Sequence, residues 1–396
     1  NFEVVNYTIG NSKQITVTGA NGKGVDAATT FNLLGGNSQT TFVNDYVSPA
    51  ALTTINLAGY TGATTQQTFA ASQLVNTMTI TGSAGVDTII ATTNNNNAAV
   101  ASMTGIEALK INVASGDSVF DFAKTTGIAK LLVDDDDNAR SFTATDLPDG
   151  VTIEVEHGAT GSTLVVDQLN KASTDNVQNI TIKTTATDTH TYIIDADDIE
   201  TINIKMSDAS VLDLSGSTMT ATGASSTLNL TGNKVATLAT VNTDIKTINA
   251  EGMTTGGGVI QSARSTTGAV NYTGSVGDDT FIMTNAGDNL SGGLDGTDTL
   301  DINVAAILGG IQVDLSATGD QIVSLNGGVN TGTVQNFNNV DLSGYTGSFG
   351  AVVTAAATGS TITGTANADQ ITLGLSVDTV NFLATNGADS ISSFAA

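Results

Sequence analysis

Glycine and aspartate recur at short intervals between Tyr272 and Ile302, in a spacing suited to holding a hard divalent cation. The run Thr273-Gly274-Ser275-Val276-Gly277-Asp278-Asp279-Thr280-Phe281-Ile282 leads into Asn285-Ala286-Gly287-Asp288-Asn289-Leu290, and then into Gly292-Gly293-Leu294-Asp295-Gly296-Thr297-Asp298-Thr299-Leu300. Each segment reads as a turn followed by a short strand. Calcium takes roughly six to eight oxygen ligands, which carboxylates and turn carbonyls supply together. Glycine lets such turns adopt positive φ and bring their carbonyls inward. The aspartate then closes the site, and Phe281, Leu290 and Leu300 pin each turn to a core. Degenerate copies end in Asp87, within Gly82-Ser83-Ala84-Gly85-Val86-Asp87, and in Asp369, within Gly364-Thr365-Ala366-Asn367-Ala368-Asp369. Two more end in Asp378 and in Asp389, the latter preceded by Gly387. For these isolated copies two readings stand: a calcium ligand, or an aspartate that caps its own turn.

A second acidic run, Asp134-Asp135-Asp136-Asp137-Asn138, follows the strand-like Ala129 to Val133. A strand sends alternate side chains to opposite faces, so only a subset, such as Asp135 and Asp137, could share one ion. The alternative is a solvated turn. Asp195, Asp197, Asp198 and Glu200 pose the same choice. Catalytic chemistry finds little foothold. His157 and His190 are the only histidines, and neither has a partner at zinc-ligand spacing. No G-x-S-x-G elbow and no phosphate-cradling loop ending in Lys-Ser/Thr is present. A polysaccharide lyase or epimerase on a β-helix would need cations near its uronate and aromatic sugar platforms, yet Arg140 and Arg264 are the only arginines and tryptophan is absent. The expectation is a protein that is not an enzyme.

The elements that must position these turns are short strands. Runs of β-branched and aliphatic residues bounded by Gly, Asn, Asp and Ser recur at Gln14–Val17, Met78–Thr81, Val151–Val155, Ser162–Val166, Asn179–Lys183 and Thr227–Leu230. Alternation, as in Ile180-Thr181-Ile182, predicts one apolar and one polar face. Val166–Ala172 and Ser118–Ala123 read as single helical turns. A repeated unit, aliphatic-x-(Thr/Ala/Asn)-aliphatic-(Asn/Asp)-aliphatic, begins at Leu52, Ile106, Ile199, Ile245 and Phe337. The copy at Ile106 carries one extra residue. Two copies run on into Gly59-Tyr60-Thr61-Gly62 and Gly344-Tyr345-Thr346-Gly347. The first aliphatic is expected in the turn before a strand, the alternating pair in the core, and the Asn or Thr in ladders between stacked coils. The expected fold is therefore all-β, an elongated parallel β-solenoid or β-roll with irregular insertions; β-sandwiches built of hairpins are the alternative. Motif density suggests segments 1–90, 91–270 and 271–396, the last carrying the calcium turns.

Composition narrows the partners. The 396 residues hold 38 Asp and Glu against 12 Lys and Arg, a formal net charge of −26. Such a surface repels nucleic acid and anionic lipid, whose binding depends on Lys and Arg. Uncompensated carboxylates call instead for divalent cations. Without cysteine, neither disulfides nor thiolate metal sites operate. No apolar run approaches the length of a spanning helix, so membrane insertion is not expected. The sequence opens at Asn1 without a signal-peptide pattern, which reads as a processed terminus or an excerpt.

The turn pattern resembles the nonapeptide G-G-x-G-x-D-x-U-x of the RTX (repeats-in-toxin) proteins, in which stacked turns of a β-roll hold Ca²⁺. At Gly292–Leu300 the chain departs from it: Asp295 stands where the third glycine belongs, and Gly296 follows. The resemblance carries a calcium-binding role to Gly292, Gly293, Asp295 and Asp298, and then to Asp278, Asp279 and Asp288. Tandem toxin-like arrays are absent, and the Thr- and Asn-rich strands between sparse repeats are similar to self-assembling RTX-type surface-layer (S-layer) proteins. That resemblance implies a secreted structural protein, exported by type I secretion, that tiles into a homo-oligomeric, calcium-stabilised lattice on the bacterial cell surface. Anchoring to a cell-surface glycan or lipopolysaccharide would fall to parts outside this chain. The alternative is a segment of a calcium-dependent RTX adhesin.

Overall fold

In the computed structural model the chain is all-β, and the described residues contain no helix. The structure describes the chain apart from residues 1–2, 11–13, 18–27, 39, 46–51, 71–73, 95–97, 100, 135–139, 157–161, 170–174, 184–189, 198, 215–225, 265–267, 305–308, 326–327, 329, 385–386 and 394–396. Two compact units, Asn1–Ile199 and Glu200–Ala396, make up the chain, and each is a stack of parallel β-solenoid coils. Of the stretches read as helical turns, Ser118–Asp121 is a strand and Val166 to Gln168 lies in the strand Ser162–Gln168, while residues 170–172 lie outside the described residues. Their pairing with the coils on either side supplies backbone partners that an isolated helical turn would lack.

In the first unit, the parallel strands Val4–Ile9, Thr30–Gly35, Thr54–Tyr60, Thr79–Thr81, Ser102–Thr104 and Thr125–Thr126 form one sheet. A neighbouring sheet stacks Ile89, Leu109, Leu131, Ile153 and Ile180 in one register column, all essentially without solvent exposure. In the second unit a column runs Ile202, Leu228, Ile248, Tyr272, Leu290, Val334. A facing column runs Phe281, Leu300, Val340, Ile362. A single coil cannot bury these side chains; each becomes core because a like residue of the next coil covers it. One insertion interrupts the second unit, where Ile311–Asp314 pairs antiparallel with Ile322–Leu325.

The repeated unit behaves as its pattern predicts. Its first aliphatic is buried ahead of the strand at Leu52, Ile106, Ile199 and Phe337, and at Ile245 it is buried as the first residue of the strand Ile245–Met253. The strand pairs, such as Ile55 with Leu57 and Ile202 with Ile204, are fully buried. The intervening asparagines form ladders: Asn203, Asn229 and Asn249 share a column, and the Asn229 amide donates to Asn203 Oδ1 at 2.8 Å. Asn32 donates to Asn6 in the same way, also at 2.8 Å. The two Tyr-Thr-Gly extensions make matching corners. Tyr60 donates to the Thr40 carbonyl at 2.7 Å and Tyr345 to the Gly309 carbonyl at 2.7 Å. Each ring lies where a Cβ on Gly62 or Gly347 would stand.

Candidate functional site

The buried aspartates of the glycine turns share one construction. Asp279 Oδ2 accepts the Ser275 amide at 2.7 Å and the Ser275 hydroxyl at 2.9 Å, while Oδ1 accepts the Val259 amide of the preceding coil at 2.6 Å. Asp369 repeats the arrangement with Thr365, whose amide and hydroxyl each donate at 2.8 Å, and with the Ala351 amide at 2.7 Å. Asp87 accepts from the Ser83 amide and, through Oδ1, from the Thr65 hydroxyl. The donor four residues before the aspartate is Ser83, Ser275, Thr284 or Thr365. That Ser/Thr-x-x-x-Asp spacing is a sequence signal that attention to glycine alone passes over.

These turns also link coil to coil. The Asp279 amide donates to Asp298 Oδ1 at 2.9 Å, and the Asp298 amide to Asn338 Oδ1 at 2.9 Å. Asp369 donates likewise to Asp389 Oδ1 at 2.8 Å, and Asp87 to Glu107 Oε2 at 2.8 Å. Glycine is required because the coils touch here: a Cβ on Gly277 would collide with the Gly257 carbonyl oxygen, and one on Gly293 with that of Ser275. Burial raises the pKa of Asp279, its hydrogen bonds from Ser275 and Val259 offset part of the rise, and the charge of Asp278 adds to it.

A carboxylate whose oxygens face N–H and O–H donors is directed away from a metal, which needs those lone pairs. At Asp87, Asp279 and Asp369 these donors take most of the lone pairs a metal would use. At Asp288 a guanidinium sits against the carboxylate. Arg264 places its two terminal nitrogens 2.6 and 2.8 Å from the Asp288 oxygens, with both side chains fully buried. Beyond Lys246 the sequence holds no basic side chain other than Arg264. Reading the sequence for metal ligands singled out Asp288 and missed its partner, which lies 24 residues earlier in the chain.

The turn at Gly292–Asp298 is different. Asp298 is buried at 2 % exposure, and its Oδ1 takes the Asp279 amide. Its Oδ2 accepts no hydrogen bond among the described residues, because the amide four positions earlier, on Leu294, turns to the Ser275 carbonyl at 3.3 Å. The glycines Gly293 (φ +120°) and Gly296 (φ +101°) shape this longer turn. Burial pushes the Asp298 pKa up to about 8, and the nearby charges of Asp279 and Asp278 add to the rise. A cleft of about 360 Å³ opens beside it, lined by Gly293, Asp295, Asp298, Ser316, Gln321 and Asn336 among others. Asp295 and Asp278 are exposed, and Asp278 accepts the Thr297 amide at 2.8 Å. Gly292 is buried against the Asn336 carbonyl. Here the residues fit a cation: a carboxylate oxygen without a donor that borders the cleft, a second carboxylate in the same turn and amide oxygens around the cleft. Among the described residues no three of His, Cys, Asp and Glu converge as a ligand group, so an ion at this turn would draw mainly on carbonyl and amide oxygens.

Asp135, Asp137 and His157 lie outside the described residues, and His190 opens the strand His190–Asp197. Asp378 accepts the Gly374 amide and the Ser360 amide, each at 2.8 Å, as a further capping aspartate. Together fold and turns define a parallel β-solenoid protein whose coils are joined through buried aspartates. Comparison with known proteins finds no matching family model, no similar curated protein and no similar solved structure.

Proposed function

We propose that this chain is a structural, secreted building block of an RTX-type bacterial surface layer, self-assembling into an extracellular lattice rather than catalysing a reaction. The observation that carries this reading is the register of uncharged side chains across successive coils. On the outward face of one sheet, Thr30 and Asn32 align with Thr54 and Asn56, and these with Thr79 and Thr81. Strands about 4.8 Å apart thus present a flat polar array on a strongly acidic chain. Such a face meets a second copy without bringing carboxylates together, and parallel sheets that end in open edges suit tiling.

Calcium enters this reading at one turn. Asp298 and Asp295, with carbonyls of Gly292 and Gly293, would hold the ion. When bound it would neutralise a buried carboxylate that has no donor for its second oxygen. Export by type I secretion and anchoring to a surface glycan through other parts belong to the same proposal.

Electron microscopy of the purified protein, with calcium and with a chelator, tests it. Ordered sheets that form only with calcium support the lattice. Soluble monomers in both conditions overturn it and favour an adhesin segment, which a glycan-binding screen would then examine.

A further inference from the structure

We infer that the Asp288 turn is a cation site occupied by the protein's own guanidinium, so that coil stacking at this corner needs no metal. Four oxygens surround the charge. Asp288 contributes both carboxylate oxygens, the Ile282 carbonyl accepts at 3.0 Å, and the Gly268 carbonyl accepts at 2.8 Å. The ring of Tyr272 covers one side, its centroid 5.7 Å from the guanidinium carbon. Two backbone carbonyls and a bidentate carboxylate form the ligand set a hard cation would take, here filled by a planar cation on a tether.

The tether matters because it crosses coils. Arg264 follows the strand Gly258–Gln261, whereas Ile282 and Asp288 belong to the next coil. Asp288 also receives the amides of Thr284 at 3.1 Å, Asn285 at 3.0 Å and Val270 at 3.2 Å. One side chain therefore fixes a turn that would otherwise leave a negative charge buried. Because the guanidinium is part of the chain, this clamp closes as the coils fold and does not depend on the ion supply.

Chemical rescue tests the inference. Arg264→Ala should lower the melting temperature by roughly 10 °C, the scale set by removing one partner of a buried ion pair. Millimolar guanidinium chloride or calcium chloride should restore part of that loss in the variant. In Arg264→Ala with Asp288→Asn the rescue, taken as the gain beyond what the same salt gives wild type, should disappear. Arg264→Lys, which keeps the charge but not the fork, should melt between wild type and Arg264→Met. Three results would overturn the inference: an Arg264→Met protein as stable as wild type, a destabilised Arg264→Ala that neither cation rescues, or Arg264→Lys melting below Arg264→Met. If Arg264→Ala does not fold, the Lys and Met variants still decide. The readout is independent of the Asp298 proposal, since it compares variants at Arg264 and does not require that wild type respond to calcium.

Discussion

Replacing Asp279 with alanine separates a hydrogen-bonding staple from a metal ligand. The carboxylate accepts three bonds, from the amides of Val259 and Ser275 and the hydroxyl of Ser275. Hydrogen bonds to a charged group contribute roughly 1.5–3 kcal/mol each, and a buried donor left without a partner costs about 1–3 kcal/mol. Both amides belong to buried residues, with Val259 at 0 % and Ser275 at 2 % exposure. Burial of the Asp279 charge, which raises its pKa, works in the opposite direction. The net expectation is a loss of about 3–4 kcal/mol, or roughly 6–16 °C in melting temperature for a unit of this size. Asp279→Asn keeps one acceptor and should lose about half as much. The assay is thermal melting followed by circular dichroism in a chelator, with amide hydrogen exchange at Val259 and Ser275. Exchange matters because solenoids open locally, coil by coil. Were Asp279→Ala to melt like wild type in the chelator and differ only when calcium is added, the staple would be wrong and the residue would be a metal ligand.

Calorimetry should show calcium uptake by wild type and its loss in Asp298→Asn, while Asp369→Asn retains it; equal uptake by all three would refute the assignment. Gly277→Ala drives a Cβ into the Gly257 carbonyl, whereas a Cβ on Gly319 meets nothing within 4 Å, so the first should cost at least about 2 kcal/mol and the second stay near neutral in melting experiments. Tyr345→Phe and Tyr60→Phe each remove a 2.7 Å bond to a carbonyl of another coil, and each should cost about 1 kcal/mol in denaturant titration; unchanged midpoints would refute the corner role. Asp301 faces Asp341 in register, and burial followed by that charge raises its pKa to about 6. For a carboxylate raised in the folded state, the stability present below the unfolded pKa of about 3.9 is lost as pH climbs toward 6. After allowance for solvent screening, Asp301→Asn should gain about 1–2 kcal/mol over wild type at pH 7.5 and nothing at pH 3.5. Parallel melting profiles of the two proteins across that range would refute it.

The aspartates divide by a single structural difference. At Asp87, Asp279, Asp288, Asp369 and Asp378 the amide four residues earlier turns toward the carboxylate, joined at Asp87, Asp279 and Asp369 by the hydroxyl of the same Ser or Thr. Where Gly292-Gly293-Leu294-Asp295-Gly296 lengthens the turn, the Leu294 amide is drawn to Ser275 and Asp298 keeps an open oxygen. The departure from the nonapeptide pattern at Asp295 thus falls at the one turn of the group whose donors leave room for a cation. Lysines are spent elsewhere: Lys110 with Asp134 at 3.0 Å and Lys130 with Glu154 at 2.7 Å pair across strands of the first unit.

Strand identity was legible in the sequence because alternation is local. Gln14–Val17 appears with the bounds its residues suggest, and Ser226–Gly232 extends its expected run by a residue or two. The repeated unit was equally plain, since its turn aliphatic and core pair occupy fixed places relative to one strand. What a carboxylate touches is not local. Asp279 meets Val259 and Asp288 meets Arg264 only because one coil lands on the next, and coil length varies along the chain, so no constant spacing marks those pairs. For the same reason the aligned Thr and Asn columns emerge from register alone, with Thr30, Thr54 and Thr79 unequally spaced in sequence. Residue types and alternation determined that the chain would form coils with acidic, glycine-rich corners; the stacking of those coils decided, among the described residues, which corners are closed by amides, that Asp288 is closed by an arginine, and that Asp298 keeps an open oxygen.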